Sequence, residues 1–158
     1  MDRRIIEDYI AAASRPLAGI AGLTAADLDA QPVPGTWSIR QIVVHLMDSD
    51  LVASDRMKRV AALDEPALLA YDESAFASAL GYEQTDAEIA ARIFELNRKL
   101  TGDLLRRLAD AAVARIGHHN EAGPMSLEKL VRTYVGHLEH HMGFLRKKRE
   151  LLGKPLPH

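Results

Sequence analysis

The chain has 158 residues, 47% of them apolar and 27% charged, with a net charge of −2 and no cysteine. The length suits one domain with a substantial core, and the composition is that of an ordinary globule. Disulfides, thiolate ligands and a cysteine nucleophile are excluded, and the charge balance gives no basis for binding nucleic acid or an anionic membrane.

Five of the first eight residues are charged, and no apolar stretch follows that is long enough for a signal or a membrane span, so the cytoplasm is the expected compartment. Asp2 to about Gly22 reads as the first helix, with Ile5, Ile6, Tyr9, Ile10, Leu17 and Ile20 inward and a kink or local tightening at Pro16. Thr24 and Asp27 have capping-box spacing for a short helix to about Ala30, and Gln31-Pro32-Val33-Pro34-Gly35 breaks the chain. Ser38, with Gln41 at the reciprocal position, opens the second long helix to about Leu63, in which Ile39, Ile42, Val43, Leu46, Ala53 and Met57 keep helical spacing.

Residues 64–85 are expected to cross over as loop plus one short helix near Asp72–Leu80. Thr85 with Glu88 reads as a further capping box, opening a helix to about Ala109 with Ile89, Ile93, Leu96, Leu100 and Leu104 inside. His118 to Pro124 reads as loop. Ser126 opens the last long helix, which Gly153 and Pro155 end, and the run Arg146-Lys147-Lys148-Arg149 in its last turns serves the helix dipole. No repeat, second domain or strand pattern of useful length is visible. The expectation is a single all-α domain over residues 1–158, a four-helix bundle whose second and third helices are joined by a crossover of roughly twenty residues.

His137 and His141 stand one turn apart in the apolar stripe of Leu130, Tyr134, Leu138 and Leu145, while His140 points off its edge and Glu139 to solvent. Imidazoles at i and i+4 can put nitrogens on one ion about 2 Å from each. The same pattern also describes a pair of hydrogen-bonded core histidines. His45 flanks the stripe of the second helix. If the three met inside a bundle, they would hold a metal with a position left for water or substrate.

Asp50 falls mid-stripe with Ile39, Leu46 and Met57, where a carboxylate needs a partner. It would bind metal, orient a ligand or take a proton from bound water, or else pair with Arg92 or Arg98 of a facing helix. Asp48 faces away from the stripe and is left to bond backbone or cap a loop. His118 and His119 are rim candidates, Tyr71 and Asp72 would line the mouth, and Trp37 reads as a packing anchor.

Trp37-Ser38-Ile39-Arg40-Gln41-Ile42-Val43-Val44-His45-Leu46-Met47-Asp48-Ser49 resembles the signature of the DinB/YfiT-like metalloenzyme superfamily. So do Tyr71-Asp72-Glu73-Ser74-Ala75-Phe76, Gly123-Pro124-Met125-Ser126-Leu127 and Gly136-His137-Leu138-Glu139-His140-His141. The resemblance implies a four-helix bundle running up-down-down-up, often dimeric, with a divalent metal, zinc or nickel foremost, held by His45, His137 and His141. Relatives implied by it include thiol S-transferases using bacillithiol or mycothiol, and a maleylpyruvate isomerase branch whose added C-terminal domain this shorter chain is not expected to share.

The expected function is thus a metal-dependent enzyme acting on a small molecule, either a transferase using a low-molecular-weight thiol cosubstrate or a hydrolase with Asp50 as proton acceptor. The alternative is a non-catalytic metal-binding or stress-response bundle with a structural metal, which Asp50 as fourth ligand would favour. A homodimer is expected, with helices one and two as the faces for self-association.

Overall fold

Side-chain caps set the starts of most of the helices in the computed structural model, which describes residues 3–157. Ser38 accepts from the Gln41 N–H while the Gln41 side chain accepts from the Ser38 N–H, and Thr24 and Asp27 do the same for the short helix. The helices are α1 (Arg4–Ala11), α2 (Arg15–Ile20), α3 (Ala25–Asp29), α4 (Ile39–Ala62), α5 (Glu73–Ala79), α6 (Ala87–Arg107), α7 (Asp110–Val113) and α8 (Leu127–Leu151). A 3₁₀ turn spans Tyr82–Gln84. Asp72 caps α5 and Ser126 caps α8, whose exit turns at Gly153 with φ of 69°.

Two boundaries differ from expectation, and Asp2, the expected first residue of helix one, lies outside the described residues. Helix one is broken rather than kinked: α1 stops at Ala11, and α2 restarts with Pro16 in its first turn, where the missing N–H costs nothing. The cap of α6 is Asp86, which accepts from the N–H groups of Glu88 and Ile89, while the Thr85 hydroxyl donates to the Gly81 carbonyl instead.

α4 packs against α6 and α8, and the α1–α2 arm packs against the same two. Paired residues give the directions. Arg40 at the start of α4 donates to Thr85 at the start of α6, and Asp50 meets Arg98 halfway along, so α4 and α6 run parallel. Arg106 near the end of α6 reaches Glu7 in α1, and Gly19 of α2 meets Leu145 of α8. The order is therefore up-down-down-up, which requires the long crossover between α4 and α6.

Part of the region expected to be loop is a small sheet. β1 (Ala67–Leu68) pairs parallel with β2 (Ile116–His119), which pairs antiparallel with β3 (Gly123–Ser126). These strands are too short to carry a sequence pattern and are held by pairing between distant segments. A Cβ on Gly117 would crowd Val60 and Leu68 at about 3 Å, so only glycine lets β2 lie this close to α4.

The inward face of α6 is also not the expected one. Ala87, Ala90, Ala91, Phe94, Arg98, Thr101 and Leu105 are buried, whereas Ile89, Ile93, Leu96 and Leu100 are exposed.

Two apolar clusters fill the bundle, one around Ile39, Phe94 and Leu138, the other around Tyr9, Met57 and Leu130. Along α4 the first ends at Leu46 and the second resumes at Ala53; Ser49 and Asp50 fall between those positions and His45 just before them, and all three are buried. On α6 the interval holds Arg98 and Thr101, and on α8 it is the turn carrying His137. A polar layer thus crosses the core, and the candidate site lies in it.

Candidate metal centre

His45 comes from α4, and His137 and His141 from successive turns of α8. One ligand atom from each lies within 4.8 Å of the other two, and His45 Nε2 is 3.1 Å from His137 Nε2. Burial lowers the His45 pKa to about 3, with help from the neighbouring His141 and His137. His137 is lowered to about 4 by burial and His141, and His141 to about 4 by burial and His140. All three imidazoles are therefore neutral at pH 7 and offer lone pairs, the form that binds a transition metal. Nδ1 of His45 and Nδ1 of His141 are buried without a hydrogen-bond partner. Such orphan nitrogens cost about 1–3 kcal/mol each. An all-nitrogen neutral donor set with unspent capacity fits a divalent transition metal.

Two pockets open onto this cluster. The polar one, about 240 Å³, is lined by His137, Ser49, Arg56, Tyr71, Glu73 and His119 among others. Arg56 is held there by donating to the Tyr134 hydroxyl at 2.6 Å and to the Leu69 carbonyl. On the other side, an apolar pocket of about 340 Å³ is walled by Trp37 and Phe144 beside His141. A larger cavity of about 510 Å³, lined by Leu17, Leu28, Arg40 and Glu88, includes none of the histidines.

Glu73 is the residue that sequence reasoning missed. It stands in the first turn of α5, with Oε2 3.8 Å from His45 Nε2, and partial burial together with Asp72 raises its pKa. In the sequence it is one acid at a helix start, where the dipole alone would explain it.

Asp50 is not brought to the imidazoles. Its Oδ1 accepts from Arg98 Nε at 2.8 Å and Tyr9 OH at 3.2 Å, and its Oδ2 from Asn97 Nδ2 at 2.7 Å. This is the salt bridge to a facing helix weighed from the sequence, with Arg98 rather than Arg92 as partner. Burial raises the Asp50 pKa against these donors. Asp48 accepts from the Tyr82 hydroxyl at 2.6 Å. Tyr71 does line the mouth, whereas Asp72 is spent on the α5 cap. His119 reaches the polar pocket, and its neighbour His118 faces Glu65 at 3.3 Å. Trp37 packs on the core with its ring 4.9 Å from that of His45.

The model of the DinB superfamily matches residues 10–145. A candidate metal-dependent hydrolase of Oceanobacillus iheyensis is 31% identical over 118 residues, covering 75% of this chain and 68% of that protein. YfiT of Bacillus subtilis, also named as a candidate metal-dependent hydrolase, is 30% identical over 133 residues, 83% of this chain and 74% of its own. The solved YfiT structure, described as having an unusual four-helix bundle topology, superposes with a TM-score of 0.88 at 24% identity over 95% of this chain and 86% of that one. A DinB-like protein of Bacillus subtilis, YjoA, superposes with a TM-score of 0.64 at 16% identity, covering 98% and 96%. At those identities the two structures speak for the fold, and the matched residues 10–145 take in all three histidines. The chain belongs to the DinB superfamily.

Proposed function

We propose that this protein is a metal-dependent hydrolase of a small molecule, its ion, zinc or nickel, held by His45, His137 and His141. The observation that carries the reading is the convergence of three neutral imidazoles beside a pocket bearing a free-standing carboxylate, Glu73. A bound divalent ion supplies Lewis acidity to whatever oxygen shares its open position. The chain supplies the rest. Glu73 Oε2, 3.8 Å from His45 Nε2, would accept and return a proton beside the imidazoles, and partial burial raises its pKa in the direction that favours such exchange. It takes the role the sequence assigned to Asp50. Arg56 and the Tyr71 hydroxyl line the same pocket and would orient a polar substrate. The Asp50–Arg98 pair ties α4 to α6, and Arg98 also donates to the Tyr134 carbonyl on α8 at 2.7 Å, which fixes the backbone one turn before His137. With Asp50 committed there, it is not a fourth ligand, which speaks against a closed structural site. The names of the relatives favour the same reading.

A second reading, thiol S-transfer, is favoured by the two separate pockets, one touching His137 and the other His141, as a two-substrate reaction needs. The chain has no cysteine, so the thiol would be a cosubstrate. Among the described residues no helix is long and apolar enough to cross a membrane.

Metal content of the tag-free protein by plasma mass spectrometry tests the centre. About one ion per chain is expected, with little in the His137→Ala/His141→Ala double variant. No metal in the parent after reconstitution with zinc or nickel would overturn the reading. On chromogenic esters and amides, Glu73→Gln is expected to keep the metal and lose about 10²–10⁴ in kcat. Turnover that appears only when a thiol and an electrophile are both present would select the second reading.

A further inference from the structure

The polar pocket on the His137 side holds a cation that the metal centre leaves unused. Arg56 is only 8% exposed, and its guanidinium has several N–H donors and a charge that does not titrate near neutral pH. One N–H goes to the Tyr134 hydroxyl and one to the Leu69 carbonyl, both uncharged acceptors, while Nε finds no partner. Among the described residues no carboxylate stands at ion-pair distance from it, whereas the similarly buried Arg98 has Asp50. A buried cation without a counter-charge is costly, and this one forms part of a pocket wall. Arg149 is also buried without a carboxylate, but it donates to the carbonyls of Gly19, Ala21 and Lys154 and lines neither pocket at the histidines, so it is a clamp.

Two more donors line this pocket, each from a different element. The Tyr134 hydroxyl of α8 accepts from Arg56 and keeps its own proton to give. His119 of β2 accepts at Nδ1 from the backbone N–H groups of Glu121 and Ala122, both at 3.2 Å, which puts the ring proton on Nε2. Burial and the nearby Arg56 charge lower the His119 pKa, so the ring is neutral at pH 7 and donates through that one atom. The small sheet builds the arrangement. Asn120, beside His119, accepts at Oδ1 from the Ala70 N–H, and β1 leads directly into the Leu69 carbonyl that holds Arg56. The pocket also has two carboxylates: Glu73, which stands 3.8 Å from His45, and Glu121, which is exposed.

We propose that Arg56, Tyr134 and His119 bind the carboxylate of a small acidic substrate. A planar guanidinium matches a carboxylate in shape as well as charge. Glu73 and Glu121 in the same pocket favour a singly charged group over a phosphate dianion. The volume of about 240 Å³ is below the ~300–1,000 Å³ of whole small-molecule sites, so the pocket takes the acid end of the substrate rather than all of it. The Tyr134 ring centre lies 6.0 Å from that of His137, which sets the acid end beside the imidazoles. That the acid belongs to a hydrolase substrate rests on the metal-centre reading; its binding needs no ion.

Butyrate, butyramide and propyl phosphate are titrated at pH 8 into the zinc-loaded and the metal-free protein, followed by proton–nitrogen correlation NMR. The metal-free arm removes any binding of a carboxylate to the ion itself. In both arms butyrate is expected to shift the signals of Arg56 and His119 and to bind at least about tenfold more tightly than butyramide, the effect of one charge-assisted hydrogen bond. Propyl phosphate, largely a dianion at pH 8, should bind more weakly than butyrate. Arg56→Met should abolish the preference for butyrate, and Arg56→Lys should keep part of it. Tyr134→Phe deletes one hydroxyl and should weaken butyrate several-fold; it carries the test if Arg56→Met does not fold. Equal binding of butyrate and butyramide, shifts confined to other parts of the chain, tighter binding of propyl phosphate, or an unchanged preference in the folded variants would each overturn the proposal. Zinc content is measured on the same samples. No zinc with the butyrate preference intact would refute the metal centre alone, and zinc bound with no such preference would refute the acid site alone.

Discussion

Replacing Asp50 by asparagine separates a structural carboxylate from a catalytic one. All three side chains that meet this carboxylate are donors: Arg98 Nε, Tyr9 OH and Asn97 Nδ2. Asparagine offers one acceptor oxygen and one NH₂ group, so one of those donors must face another donor. The Arg98 guanidinium, 1% exposed like Asp50 and stacked over the rings of Tyr9 and Phe94 at 4.3 and 4.6 Å, would lose its counter-charge with no route to water. Breaking a buried pair by removing one partner costs about 3–5 kcal/mol. Against a typical stability of ~5–15 kcal/mol, that is about a fifth or more of what holds the fold. Urea unfolding followed by far-ultraviolet circular dichroism is expected to show a loss in this range for Asp50→Asn, with metal content per folded chain unchanged. Asp50→Asn/Arg98→Met, which removes both charges, should fall nearer the parent than Asp50→Asn alone. A single variant within about 1 kcal/mol of the parent that has nevertheless lost activity would refute this account and return Asp50 to the chemistry.

The pH dependence follows from the lowered pKa values of the imidazoles. At pH 7 the three are already neutral, so zinc binding should release almost no protons, and affinity by calorimetry in buffers of different ionisation enthalpy should stay level until about pH 5 and fall toward pH 4. For the metal-free fold, these folded-state values lie below the ~6.5 of an unfolded histidine, so their contribution to stability is full above that pH and is lost as pH falls toward 4. In place of the faces of helices one and two read from the sequence, we propose that a homodimer would form on the exposed stripe Ile89, Ile93, Leu96 and Leu100 of α6, flanked by Glu88, Arg92, Glu95 and Lys99, whose alternating signs suit an antiparallel second copy. Leu96→Glu/Leu100→Glu should convert a dimer to a monomer by light scattering without loss of helicity, and a parent that is already monomeric would refute the placement.

Features set by neighbours in the chain were legible in the sequence. The reciprocal caps at Thr24 and Ser38 act over three residues, and the one-turn spacing of His137 and His141 fixes a shared face whatever packs against it. Pairing over distance was not legible. Strand β1 is two residues long and exists because His118 and His119 of β2 lie beside Ala67 and Leu68, about fifty positions away in the chain. Glu73 joins the site only because the crossover folds back over α4. The same holds for Asp50, whose mid-stripe position announced a partner without naming it; Arg98 was settled by the parallel run of α4 and α6, which no local pattern encodes.

The reversal of α6 carries the same lesson further. Ranking by hydrophobicity picks its large aliphatics as the inner face, but this helix lies against α4 and the α1–α2 arm, and close approach selects small residues. Ala87, Ala90 and Ala91 line the contact, and at Gly102 the Ile10 side chain fills the space that a Cβ would take. Phe94 fills the wider part, and Arg98 enters because Asp50 and two aromatic rings receive it. The aliphatic stripe is thereby released from core packing while keeping its helical continuity. These side chains are 39–66% exposed, so covering each on a second copy would gain a fraction of the ~1.5–3 kcal/mol of full burial, against the cost of association. Helix α6 also lines neither pocket at the histidines. A second copy seated on it would meet α6 rather than the residues that line those pockets.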